Sequence, residues 1–184
     1  FLFAQKHHPA LGPIAPIRRA LGRRTIFNYL GPLCNPGAVK RQLVGVPTPA
    51  IVPIYAEAIR LLGSERALVV SGEEGLDEIS VSGPTRVESI GFSSMSDVIT
   101  PESAGIAIHP PEALKGGDAA YNAAALRRLL DGETGAYRDA VLLNAAAALM
   151  AAGEADTLRN GVEEAAEAIN KGLAKALLDC WVTY

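Results

Sequence analysis

Cysteine is scarce in this chain: Cys34 and Cys180 are the only two in 184 residues. They stand far apart, without metal-type spacing, so neither a disulfide framework nor a zinc site follows, and a reducing cytoplasm is the expected setting. No apolar run reaches the ~18 residues that a membrane-spanning helix requires. No charged n-region with a cleavage pattern marks a secretory leader. A strong excess of charge of either sign is lacking as well, with 17 basic residues against 20 acidic ones. A net charge of −3 gives no general attraction to nucleic acid or to an acidic membrane surface, so any anion site must be local. A Walker loop, a serine elbow, a Cys–His pair and a dinucleotide fingerprint are all missing. Gly116-Gly117-Asp118-Ala119 lacks the lysine of a phosphate loop and reads as a helix start. The chain opens on FLFA without methionine, which reads as a cut in a longer chain.

What is present is ordinary globular framework. Apolar residues make up 49% and charged residues 20%, which supports one sizeable core and excludes a disordered chain. Residues 1–184 are expected to form one partial α/β domain. Phe1 to Ala4 suits a buried strand end, which would put Gln5-Lys6-His7-His8-Pro9 at its carboxyl edge, where open α/β sheets bind ligands. Gly12 and Pro13 force a loop. Pro16 starts a short helix closed by Gly22. Arg24 to Leu33 fits either a short helix or a strand, broken at Gly31-Pro32 and Asn35-Pro36. Strands are predicted over 42–46, 66–70 and 85–90. Between the first two, Thr48-Pro49 caps a helix running through Leu62, which makes a βαβ unit. Helices follow from Asp118 to about Leu130 and from about Tyr137 to Ala151, the second apolar nearly all round and therefore buried. A last helix carries one apolar stripe from Val162 to Leu177, opposite Glu163, Glu164, Glu167, Lys171 and Lys175.

Three constellations could carry chemistry. Adjacent His7 and His8 cannot both face one pocket if the backbone is extended, so one at most is functional; both could equally be plain loop residues. Arg18 and Arg19, with Arg23 and Arg24 beyond, either form a solvated basic face or send one guanidinium toward a small anion. A guanidinium grips a carboxylate or phosphate in a two-pronged fork. Asp77 and Glu78 follow a buried strand. Adjacent loop carboxylates can hold Mg2+ together with phosphate and water oxygens, or stand as solvated charges.

Order and spacing together are more specific. HHPA, APIRRALGRRTIFNYLGPLCNPG, KRQLVGV, ALVVSGEEGLDEIS, GGDAAYNAAALRRLL and YRDAVLLNAAAAL resemble the carboxyl-terminal portion of the anthranilate phosphoribosyltransferase family over essentially the whole chain. RTIFNYLGPLCNP and GLDEIS are the most specific parts.

The resemblance implies the larger domain of the nucleoside phosphorylase/phosphoribosyltransferase fold, an α/β domain with a mostly parallel sheet flanked by helices, truncated at its N-terminus. It implies transfer of phosphoribosyl from phosphoribosyl pyrophosphate (PRPP) to the amino group of anthranilate in tryptophan biosynthesis, with Mg2+. By position, His8 would line the anthranilate tunnel, Arg18 would contact the substrate carboxylate, Gly31 and Pro32 would turn against the aromatic ring, and Asp77 and Glu78 would hold Mg2+. The family's glycine-rich PRPP loop and helical dimerisation domain would lie upstream, supplied by a missing segment or a second chain. A homodimer is implied for the full-length protein, and no activity for these 184 residues alone. Two alternatives remain: a pyrimidine nucleoside phosphorylase, against which the two specific stretches speak, and a non-catalytic nucleic-acid-binding relative, against which the net charge speaks.

Overall fold

The computed structural model describes residues 4–23 and 25–183. In chain order its helices are α1 (Ala4–His7), α2 (Ile14–Leu21), α3 (Val52–Leu61), α4 (Ala119–Leu130), α5 (Ala136–Ala152), α6 (Leu158–Asn170) and α7 (Leu173–Thr183). Its strands are β1 (Arg41–Gly45), β2 (Arg66–Gly72), β3 (Thr85–Ile90) and β4 (Val98–Ile99), paired in that spatial order.

The βαβ unit forms as expected: β1 pairs with β2 in parallel, Val44 opposite Val69, with α3 between them in sequence. The α/β class with flanking helices stands, but the described sheet is mixed, not mostly parallel. β2 pairs with β3 and β3 with β4 in antiparallel fashion. The reason lies in the connection. A parallel crossover needs a dozen or more residues, usually with a helix, whereas residues 73–84 between β2 and β3 contain only turns and bends.

Alternation along the strands separates two apolar layers. Leu68 and Val70 of β2 face one layer, which α5 and α6 close with Leu142, Leu143, Ala146, Ala147 and Ile169. Ala67 and Val69 face the other, closed by Val52, Tyr55, Ala56 and Ile59 of α3. Helix α5 is buried along most of its length, as its composition predicts, and packs on β1 and β2 as well as on α6.

Several boundaries differ from the sequence reading. Phe1 to Phe3 lie outside the described residues, and Ala4 opens a helix, not a strand end. Ala, Gln and Lys all tolerate helix, and the turn stops at His7 because a residue before proline is kept out of the α region; His8 sits at φ −124°, ψ 64°. Helix α2 begins at Ile14, two residues earlier than expected. Pro16 still falls in the first turn, where its missing N–H breaks no intrahelical bond, and Gly22 closes the helix at φ 58°. Residues 25–34 form two 3-10 turns, Ile26–Asn28 and Pro32–Cys34, in place of a regular helix or strand. Thr48 has extended backbone but no side-chain cap, and a 3-10 turn at Pro49–Ile51 leads into α3. The last predicted helix is two, α6 and α7, divided where Gly172 takes φ 72°.

Candidate functional site

Strand β2 delivers its chain end to a tight turn. Gly72 N–H donates to Leu76 O at 2.8 Å and Gly75 N–H to Gly72 O at 2.9 Å, with Gly75 at φ 92°. That conformation favours glycine, so the sequence itself dictates a turn here. Asp77 and Glu78 follow it, both exposed, beyond the carboxyl end of the parallel pair β1–β2. The rest of the loop is tied inward. Ser80 N–H donates to Thr85 Oγ1 at 2.9 Å, and the Ser80 hydroxyl donates to the Glu74 carboxylate.

Two contacts fix the loop from opposite sides. From β1, Gly45 meets the backbone of Asp77 so closely that a Cβ there would lie 1.6 Å from Asp77 O. From α5, Asn144 pairs with the backbone of Ile79: Ile79 N–H donates to Asn144 Oδ1 at 2.9 Å, and Asn144 Nδ2 donates to Ile79 O at 2.9 Å.

Asp77 borders two openings. One, of about 760 Å³, runs between the strand ends and α5 and is lined by Leu43, Gly45, Asp77, Glu78, Tyr137 and Asn144 among others. The second, of about 160 Å³, lies on the other side of Gly45 and is lined by Asn28, Tyr29, Pro32, Gly45, Tyr55 and Asp77 among others. The 3-10 segment is held there by Tyr55 of α3, whose hydroxyl donates to Tyr29 O at 2.6 Å. Burial first, and the neighbouring Cys34 second, push the Tyr55 phenol up to about 12, so it remains a donor throughout the physiological range.

The structure thus brings Pro32 and Asp77 to one cleft, with Glu78 and Asn144 on the adjoining one. His8 and Arg18 line neither of these two clefts. His8 is half-buried beside exposed His7. Arg18 is half-buried and Arg19 exposed, the division that their helical offset allows, and the Arg18 guanidinium stands 6.0 Å from the centre of the Phe27 ring. Gly31 is exposed at the start of its 3-10 turn, and Arg24 lies outside the described residues.

Although the residue as a whole is exposed, partial desolvation of its carboxyl group, and next the charge of Asp77, hold Glu78 above the ordinary carboxylate range. The folded chain therefore keeps this proton to higher pH than the unfolded chain. Ionising Glu78 then costs stability: the penalty is absent below the unfolded carboxylate pKa and complete above the raised folded one. Glu78→Gln is expected to raise the melting temperature slightly at pH 7 in metal-free buffer and to leave it unchanged near pH 3. Thermal melts at both pH values check this, and an equal shift at both would refute the cause. Among the described residues no three His, Cys, Asp or Glu side chains cluster as a complete metal cage. Asp77 and Glu78 still fit a hard cation that takes its other oxygens from substrate and water. They are exposed, supply oxygen only, and repel each other in a way that a cation relieves.

Sequence reasoning missed Gly45 and Asn144. Gly45 had no local signal. Asn144 had one: an amide within VLLNAAAAL, a helix otherwise too apolar to face water, must find its partners inside.

Fold and site together define an α/β domain whose candidate site lies at the carboxyl ends of a parallel strand pair, where open α/β sheets bind ligands. The chain belongs to the glycosyl transferase family, residues 1–175 matching its a/b domain. It is 60% identical over 184 residues to the anthranilate phosphoribosyltransferase of Novosphingobium aromaticivorans, across 99% of this chain and 56% of that protein. The crystal structure of the Thermus thermophilus anthranilate phosphoribosyltransferase superposes with a TM-score of 0.87 at 45% identity, over 96% of this chain and 52% of that one. The Saccharomyces cerevisiae enzyme in complex with PRPP and Mg superposes with a TM-score of 0.83 at 30% identity, over 94% of this chain and 50% of that one. The chain therefore spans about half the length of the relatives it matches. No helix among the described residues is long and apolar enough to cross a membrane.

Proposed function

We propose that this chain carries the anthranilate-binding and Mg2+-binding part of a phosphoribosyl transfer. PRPP and anthranilate would give phosphoribosyl-anthranilate and pyrophosphate, a step of tryptophan biosynthesis. The observation that carries the reading is the Asp77–Glu78 pair, set at the carboxyl end of a parallel strand pair, with Asp77 bordering a cleft shared with Pro32 and Glu78 the adjoining one, in a chain with this family membership. The same reading puts the rest of the PRPP cradle outside these 184 residues, on an N-terminal segment or a second chain, in a protein that pairs as a homodimer in the cytoplasm. Cys34 and Cys180, both free and exposed, suit that reducing compartment.

As pyrophosphate leaves C1 of the ribose, positive charge grows on the sugar and negative charge on the leaving group. Mg2+, when bound, neutralises that leaving group as a Lewis acid. Asp77 and Glu78 would hold the ion. Arg18 would fork the anthranilate carboxylate and aim the amine at C1, and His8, Gly31 and Pro32 would wall the ring. An aromatic amine is a weak base, so alignment supplies more of the acceleration than proton removal. No covalent nucleophile is required.

Anthranilate fluorescence titrated against the chain tests the division of roles. Arg18→Ala is expected to weaken anthranilate binding about tenfold, in the range of a lost charge-assisted bond. Asp77→Asn is expected to leave anthranilate binding unchanged and to remove divalent-metal binding. Wild-type anthranilate affinity in Arg18→Ala would overturn the assignment of the arginine. Steeply salt-dependent retention on heparin would favour the nucleic-acid alternative instead.

A further inference from the structure

We infer that Asn144 is a positioning residue for the metal-holding carboxylates; the inference rests on the metal reading of Asp77 and Glu78 given above. Asn144 lies in the middle of α5, between Leu143, fully buried in the core, and Ala145. A polar amide in such a helix is costly unless each of its groups is partnered. Here all of them are. Oδ1 accepts from Ile79 N–H at 2.9 Å, and Nδ2 donates both to Ile79 O at 2.9 Å and to Ala140 O at 3.0 Å. The Ala140 bond anchors the amide to its own helix. The two Ile79 bonds then hold a backbone 65 residues away in sequence.

Ile79 is the residue immediately after Glu78. Its side chain is buried in the core layer that α5 and α6 close, so it needs no amide to keep it there; the amide fixes the peptide groups instead. Two antiparallel bonds to one residue set both the position and the rotation of that backbone. The direction in which Glu78 leaves it follows. On the far side of the pair, Gly45 abuts the Asp77 backbone. The carboxylates are thus clamped between the edge of β1 and a helix side chain, while their own side chains stay exposed to the cleft that Asn144 also lines. Ligand-supporting residues of this kind tune metal affinity by 10–100-fold without touching the ion.

The test uses Mn2+ alone as the probe, read from the electron paramagnetic resonance signal of the free ion, on the 184-residue chain and four variants. Asp77→Asn and Glu78→Gln are expected to abolish binding, and Asn144→Ala to weaken it about tenfold. Met150→Ala is the control. It removes a buried side chain at the far end of the same helix, destabilises the chain, and leaves the loop contacts alone. It is expected to bind Mn2+ as the wild type does. Wild-type affinity in Asn144→Ala overturns the positioning role while leaving the carboxylate reading intact. Equal weakening in Asn144→Ala and Met150→Ala reduces Asn144 to a stability contact and also overturns it. Wild-type affinity in Asp77→Asn and Glu78→Gln, or no binding by the wild type, removes the metal reading and this inference with it.

Discussion

A methyl group at Gly45 is expected to lower the unfolding free energy by about 3 kcal/mol and to loosen divalent-metal binding in the same variant. The position is the last residue of β1, opposite Val70 in the parallel ladder. An ideal Cβ there would stand 1.6 Å from Asp77 O, 2.5 Å from Asp77 C and 3.3 Å from Asp77 Cα. Ordinary carbon contacts begin near 3.5 Å, so roughly 2 Å must be recovered by movement. Every atom in the way is backbone, and no rotamer change relieves it. The strand end is held on one side by Val44 and the following Val46 in the core layer closed by α3, and the loop on the other by Asn144 at Ile79. Removing glycine's extra unfolded-state entropy returns at most about 1 kcal/mol, which is less than the clash costs. The loop is the less buried partner and should give way, carrying Asp77 with it. Urea denaturation paired with a Mn2+ titration measures both effects. An unchanged midpoint at constant slope, together with unchanged affinity, would show that β1 and the loop do not approach this closely.

That contact marks the limit of what the chain reveals when read as a string. Elements whose cause is local were legible. The βαβ unit follows from apolar strands around a helix, the span of α5 from its nearly continuous apolar run, and the start of α4 from Asp118, whose side chain accepts from Tyr121 N–H at 2.8 Å. Strand direction was less legible, because the antiparallel return of β3 depends on what residues 73–84 do not form. The split of the last helix depends on Gly172 adopting φ 72°, a cost that helical periodicity does not register. Among candidate site residues, Asp77 and Glu78 could be picked out as adjacent carboxylates on the loop after a buried strand. His7 with His8 and Arg18 with Arg19 stood out as adjacent pairs; the resemblance chose His8 and Arg18 among them and added Gly31 and Pro32, and their roles remain proposals. Gly45 and Asn144 were hidden for a physical reason. One acts by having no side chain, the other through a backbone far along the chain, and neither leaves a spacing pattern.

Gly161 provides the complementary case, in which the packing of two helices outweighs helix propensity. In an isolated helix, Gly→Ala would stabilise by about 1 kcal/mol. Gly161 instead lies buried on α6 where it crosses α5, and a Cβ there would sit 2.7 Å from Ala146 Cα, 2.8 Å from Ala146 Cβ and 2.9 Å from Ala146 O. The two helices would have to separate by several tenths of an ångström, and the alanines that let them approach would lose contact along the crossing. Overpacking of this kind costs about 1–3 kcal/mol, and here the upper end applies because two of the three obstructing atoms are backbone. Gly161→Ala is therefore expected to destabilise the chain by about 2 kcal/mol net, the clash exceeding the gain in propensity. Ala146→Gly in the same chain should recover little, since it removes only one of the three obstructions. The anthranilate binding proposed above should survive at temperatures where the variant is still folded, because the crossing lies on the face of α5 turned away from the Asp77 loop. Denaturation of the single and double variants decides the matter: a Gly161→Ala chain more stable than wild type would mean that the helices have room to part, and that α5 is not the fixed support on which Asn144 depends.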